Sequence, residues 1–151
     1  MPEKAVRLLA TFFYIGECPV APGTAASFAG ALLAIIFHGS AFFYLLVTAL
    51  IIVVGFRVSG EMETLVKQKD PSCVVIDEVA GVMIAMFGLP LNIPVLVTAF
   101  FLFRAFDMFK IYPVSKFESL PGASGIMMDD LVAGLYTMVV MQAAVRFSSI
   151  L

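Results

Sequence analysis

Apolar residues fall in long blocks along this chain, and the longest, from Cys18 to Phe56, contains no Asp, Glu, Lys or Arg. A block of that length accommodates a hairpin of two membrane spans, with the break at His38-Gly39-Ser40. Before it, Val6, Leu9, Phe12 and Phe13 recur at helical spacing within Glu3 to Ile15, with Lys4 and Arg7 at the start, which predicts an N-terminal interfacial helix. Pro19 and Pro22 make the stretch from Gly16 to Thr24 rigid and non-helical. Thr24 is the expected N-cap of a first span over Ala25 to Phe37, extendable through Ser40. Ala41 to Phe56 forms a second span, continued by a polar helix from Arg57 to Lys69 until Asp70-Pro71-Ser72 stops it. Cys73 to Leu89 and Val95 to Phe109 follow, separated by a break at Pro90 to Pro94. A loop from Tyr112 to Gly125, with two prolines and two glycines, leads to a last helix over Ile126 to Phe147.

Composition turns this pattern into a fold class. Of 151 residues, 62% are hydrophobic and 13% charged, and the mean hydropathy is +1.05. These values lie far from a soluble average. The expectation is a single domain over residues 1–151, an all-α polytopic membrane helical bundle of four to five short transmembrane helices plus the interfacial helix. The N-terminus alternates charged and apolar residues, which is not the pattern of a cleaved signal. A net charge of -2 with no basic run argues against a nucleic-acid surface. Cys18 and Cys73 lack a Cys-x-x-Cys spacing and are expected to remain thiols in a packing role. Small residues on apolar helices serve contacts within and between chains equally, so a homo-oligomer stays open.

Basic residues set the orientation. Lys4 and Arg7, then Arg57, Lys67 and Lys69, then Arg104, Lys110 and Lys116 mark one side as cytoplasmic, while the uncharged turns at His38-Gly39 and Pro90 to Pro94 lie outside. Arg146, at the outer end, is the exception. Under this threading Pro22-Gly23-Thr24, Asp77 and Glu78, Asp107 and Lys110, and Asp129 and Asp130 all arrive at the cytoplasmic membrane boundary.

The carboxylates are the candidate chemistry. An ionised carboxylate at the mouth of an apolar segment is costly without a cation or hydrogen bonds. Asp77-Glu78-Val79-Ala80-Gly81 and Asp130-Leu131-Val132-Ala133-Gly134 are near-copies, and in each the Gly sits four residues after the Asp, on the same helical face and one turn deeper. Two such faces could approach closely and bring their acids to one hard cation such as Mg2+. The bland alternative is that an Ala-, Val- and Gly-rich chain repeats such pentads by composition, and that Asp at a helix start complements the macrodipole. Arg104, Asp107 and Lys110 recur every third residue: either a phosphate clamp with Asp107 at the metal or orienting a base, or an internal ion-pair ladder. Pro22-Gly23-Thr24 with Ser27 suits an anion at a helix N-terminus, although any capped helix would look similar. His38, the sole histidine, is expected to be a loop residue, which disfavours phosphohistidine and Ser/His/Asp mechanisms.

Together these motifs resemble the phosphatidylglycerophosphatase A family of membrane lipid phosphatases. The resemblance runs from about Gly16 to Gly134. It is carried by Pro19 with Ala21-Pro22-Gly23-Thr24 and Ser27; by Asp70-Pro71-Ser72, Asp77-Glu78 and Gly81; by Phe103-Arg104, Asp107, Lys110 and Pro113; and by Gly122, Gly125-Ile126-Met127, Asp129-Asp130 and Ala133-Gly134. Lys110-Ile111-Tyr112-Pro113 departs from the family's Lys-Pro-x-Pro, Ala123 replaces a second Gly, and Glu17 matches no family position. The resemblance implies hydrolysis of the terminal phosphate monoester of phosphatidylglycerol phosphate in the bacterial inner (cytoplasmic) membrane, at a site facing the cytoplasm. It also implies Mg2+, with Mn2+ as a substitute. Asp77, Glu78, Asp129 and Asp130 are the expected metal ligands, with Asp107 completing the catalytic set; Thr24, Ser27, Arg104 and Lys110 are the expected phosphate-binding residues. Two rivals are weighed against this. A small cation-conducting or transporting protein would spread polar groups through the membrane depth, whereas here they cluster at one end. A CDP-alcohol phosphotransferase would need an Asp-Gly-x-x-Ala-Arg signature that the chain lacks.

Overall fold

The computed structural model describes residues 1–148, so the last three residues of the expected 1–151 domain lie outside the described residues. Among the described residues there are seven α-helices and no strand: α1 (Glu3–Ala10), α2 (Pro22–Phe37), α3 (Ala41–Val66), α4 (Ile76–Met86), α5 (Ile93–Phe109), α6 (Val114–Glu118) and α7 (Ala123–Ser148), with a 3₁₀ turn at Ile15–Glu17. The all-α expectation therefore holds. Two helices, α3 and α7, are long and apolar enough to cross a membrane, and α2 is a shorter apolar helix.

Helix ends differ from the sequence reading where backbone geometry overrides composition. The first helix stops at Ala10, because Phe12, Phe13 and Tyr14 adopt left-handed conformations, with φ of 44°, 57° and 66°. The Thr11 hydroxyl donates to the Arg7 carbonyl and accepts from the Tyr14 amide, closing that turn. Arg7 then pairs with Glu17 across it, which holds the guanidinium above its ordinary value. Helix α2 begins two residues before the expected cap. Ala21, at φ 47°, is the N-cap and Pro22 takes the first helical position, where its missing N–H costs nothing. Thr24 is thus inside the first turn. Helix α3 reaches Val66, and the loop before α7 contains α6.

The core is arranged around α4. Nine of its eleven residues are buried, against neighbours from α2, α3, α5 and α7. Glycines make this possible: a Cβ on Gly30 of α2 would meet Val79 of α4 at 2.9 Å, and one on Gly55 of α3 would meet Met127 of α7 at 2.7 Å. The small residues accordingly serve contacts within the chain. Outside, α3 exposes Phe42, Leu46, Leu50 and Val53, and α7 exposes Leu135 and Val139. An apolar surface of this extent on long apolar helices is that of a membrane protein.

The C-terminal end of α4 lies inside the bundle, where its last carbonyls have no helical partner and would be costly unpaired. Side chains from other elements meet carbonyls at and just after this end. The Tyr44 hydroxyl of α3 donates to the Met83 carbonyl at 2.5 Å, and Gln142 Nε2 of α7 donates to the Phe87 carbonyl at 2.9 Å. His38 Nε2, at the end of α2, lies 2.9 Å from the Leu89 carbonyl. His38 is thus the turn residue that its position predicts, with its ring bonded to a neighbouring segment. This bond also places the His38-Gly39 turn and the segment before Pro90 at the same end of the molecule.

Candidate metal and phosphate site

At the opposite pole the starts of α2 and α4 and the end of α5 meet α7 about two turns in from its start, where Asp129 and Asp130 stand. Helix α4 places Asp77 and Glu78 in its first turn. They lie beside Asp130 of α7, and one carboxylate oxygen from each of the three falls within 4.8 Å of the others. Asp77 and Asp130 are buried, and Glu78 is partly so. Asp77 Oδ1, Glu78 Oε2 and Asp130 Oδ2 are inaccessible to solvent and have no hydrogen-bond partner among the described residues. Three anions so placed repel strongly, and unpaired buried oxygens carry a desolvation penalty. An all-oxygen, all-carboxylate set of this kind fits a hard divalent cation such as Mg2+, Mn2+ or Ca2+.

The approach of α4 to α7 that assembles this set is made by glycine. A Cβ on Gly81 would lie 2.8 Å from the Asp130 carbonyl and 2.7 Å from the Phe103 ring, and one on Gly134 would strike the Gly81 carbonyl. The two pentads thus pack glycine to glycine.

Asp129 faces elsewhere. Its Oδ2 lies 3.5 Å from Lys110 Nζ, and its Oδ1 accepts from the Asp130 amide at 3.0 Å. It is not in the three-carboxylate group, so the structure does not bring the four expected metal ligands together as one set. The Arg104-Asp107-Lys110 triad is also split. Arg104 Nη1 donates to Asp107 Oδ2 at 2.7 Å, while Lys110 is the left-handed C-cap of α5, φ 44°, and reaches across to α7. Leaving the helix rotates Lys110 out of the shared face that the spacing predicts. Asp107 is near enough to act electrostatically on both Glu78 and Asp130.

Helix α2 supplies the remaining wall. Gly23 lies directly against the Glu78 carboxylate, and its missing Cβ would sit 3.6 Å from Arg104 Nη1. The guanidinium and the first turn of α2 therefore border the same corner as the acid cluster. The early N–H groups of that turn have no intrahelical acceptor. Thr24 is exposed there, whereas Ser27 is fully buried one turn deeper with no partner for its hydroxyl among the described residues. Cys18 is exposed, against its expected packing role, and Cys73 is partly buried against the core.

The Pro-Gly-Thr segment reads as a helix start open to an anion, but nothing in the local pattern says that Gly23 packs against the Glu78 carboxylate. Tyr44 and Gln142 carry one sequence signal of their buried bonds: each is an isolated polar group in an apolar run.

Comparison with known proteins adds the following. The family model described as phosphatidylglycerophosphatase A matches residues 8–145. A Bacteroides thetaiotaomicron protein named as a putative phosphatidylinositol-3-phosphatase is 39% identical, over 95% of both chains. Phosphatidylglycerophosphatase A of Haemophilus influenzae is 34% identical, over 91% of this chain and 87% of its own. The Escherichia coli protein of the same name is 36% identical, over 85% of this chain and 77% of its own. No solved structure matches significantly.

Proposed function

The chain belongs to the phosphatidylglycerophosphatase A family and is a phosphatase, and from that premise we propose that it is a divalent-cation-dependent lipid phosphatase of the bacterial cytoplasmic membrane. Its substrate is phosphatidylglycerol phosphate, and its products are phosphatidylglycerol and inorganic phosphate. The observation that carries the cation requirement is the Asp77, Glu78 and Asp130 group, in which each residue has one buried oxygen without a partner among the described residues. In this reading the chain crosses the bilayer several times, with α3 and α7 as full spans and the polar pole at the cytoplasmic surface.

Asp77, Glu78 and Asp130 would hold Mg2+ or Mn2+. When bound there, a divalent ion neutralises phosphoryl oxygens and activates water. Arg104, held by Asp107, and the first turn of α2 at Gly23 and Thr24 grip the phosphate from the other side. Lys110 and Asp129 close the rim. The nucleophile in this reading is water, since the carboxylates of the site are assigned to the cation and the only histidine stands at the opposite end of α2. An acid-stable phosphoenzyme formed during turnover would contradict that assignment.

The Bacteroides relative's name raises a second headgroup, a phosphoinositide with a 3-phosphate. Both lipids present a phosphate monoester above a diacylglycerol, so the same corner could take either. The experiment is phosphate release from each lipid in detergent micelles, with Mg2+ and with EDTA, by the parent, Asp77→Asn and Asp130→Asn. Mg2+-dependent release from phosphatidylglycerol phosphate that both variants lose supports the proposal. A folded parent that cleaves only the phosphoinositide, or neither lipid, overturns the substrate assignment, and activity in EDTA overturns the cation site.

A further inference from the structure

An open groove runs along the outside of the bundle between α2 and α5, with a volume of about 410 Å³ and a wholly apolar lining. That volume lies within the range of about 300–1,000 Å³ typical of ligand sites. Met86 of α4 forms part of its floor. Its two walls are helical stripes. On α2, Phe28, Ala31 and Ile35 follow Thr24 at steps of four, three and four residues. On α5, Ile93, Val97 and Phe101 precede Arg104 at steps of four, four and three. Residues so spaced share one helical face, so both walls lead to the polar pole, one ending at Thr24 and the other at Arg104.

Each stripe covers eleven residue steps, or about 16 Å of helix, against a hydrocarbon core of about 30 Å. The groove is therefore one leaflet deep. Five of its large side chains are substantially exposed, from 42% for Ile35 to 77% for Ile93.

Resting on the phosphatase reading above, we propose that this groove seats an acyl chain of the substrate lipid. The chain lies between α2 and α5, and its headgroup emerges where Arg104 and the first turn of α2 receive the phosphate. Continuity is what selects this occupant over bulk lipid or a second copy of the protein: the apolar walls and the phosphate-facing residues are the same two helical faces. The seated chain fixes the lipid's depth and lateral position before the phosphate meets the acid cluster. Selectivity for membrane-length chains follows from Ile35 and Ile93, which a short chain does not reach.

The test compares kcat/KM for dioleoyl and dihexanoyl phosphatidylglycerol phosphate, in the parent and in Ile35→Trp and Val97→Trp, which fill the groove from exposed positions. Val53→Trp, on the exposed face of α3, is the control. The parent should prefer the long-chain lipid. Each groove variant should lower the long-to-short ratio about tenfold, the equivalent of withholding about two methylenes from burial, while Val53→Trp preserves it. An unchanged ratio in both groove variants overturns the proposal, as does an equal loss on both lipids or a change in oligomeric state that tracks the loss. A parent inactive on both lipids overturns the phosphatase reading instead, and the proposal with it.

Discussion

Gly134 of α7 stands against the backbone of Gly81 of α4, so closely that a Cβ on Gly134 would collide with the Gly81 carbonyl. The collision is with main chain, which cannot rotate aside. Gly134→Ala should therefore force the helices apart, with a loss of about 1–3 kcal/mol, the usual cost of overpacking a tight interior. It should also separate Asp77 from Asp130 and abolish activity. Thermal unfolding in detergent and phosphate release check both. Gly39→Ala is the comparison: nothing lies within 4 Å of that position, and parent stability and activity are expected there.

Arg104 and Asp107 can be told apart from a mere ion-pair ladder by what each variant loses. Their bond is short and partly shielded, 2.7 Å with side chains 18% and 16% exposed. If Arg104 grips the phosphate, Arg104→Ala should raise KM and cut kcat/KM by about 10–100-fold, the range expected for a charge-assisted hydrogen bond. Asp107→Asn, which keeps Arg104, should lose less. Equal activity losses that track equal losses of melting temperature would favour the ladder.

Asp129 and Asp130 are adjacent in sequence but differently placed. Asp129 pairs with Lys110 at 3.5 Å, whereas Asp130 faces Asp77 and Glu78. Asp130→Asn should raise the Mg2+ concentration for half-activation at least tenfold. Asp129→Asn should change it less than about threefold, because its carboxylate faces Lys110 and stands outside the three-acid group. A larger effect from Asp129 would place it among the ligands after all.

Removal of the cation should reveal the repulsion among the acids. In EDTA, Asp130→Asn should melt at or above the parent temperature, because one of three crowded charges is gone. Mg2+ at about 100 times its dissociation constant should stabilise the parent by about 2.7 kcal/mol and the variant far less. A parent whose melting temperature ignores Mg2+ would speak against a metal site at these residues.

Much of this was written in local pattern. The apolar blocks marked the helices, the paired Asp-to-Gly pentads marked the α4–α7 contact, and the basic residues separated the polar pole from the opposite end. What pattern did not carry was backbone geometry. The left-handed Phe12 and Lys110 end helices where composition alone would let them continue, and the left-handed Ala21 starts α2 inside a stretch that its prolines mark as non-helical. Lys110 shows the result: a three-residue spacing predicts one face with Arg104 and Asp107, but the helix ends and the side chain turns to Asp129. Helix length was no more legible, since apolar blocks of similar length form helices of 16, 26 and 11 residues.

The three donors that meet the carbonyls at and after the end of α4 come from three different elements: Tyr44 from α3, Gln142 from α7 and His38 from the end of α2. No single neighbour can withdraw without stranding a buried acceptor. Amide hydrogens along α4 should therefore exchange only when α2, α3 and α7 open together, as one cooperative unit. Asp77 and Glu78, at its other end, would then be mounted on a slowly exchanging segment, shielded from fraying elsewhere in the molecule.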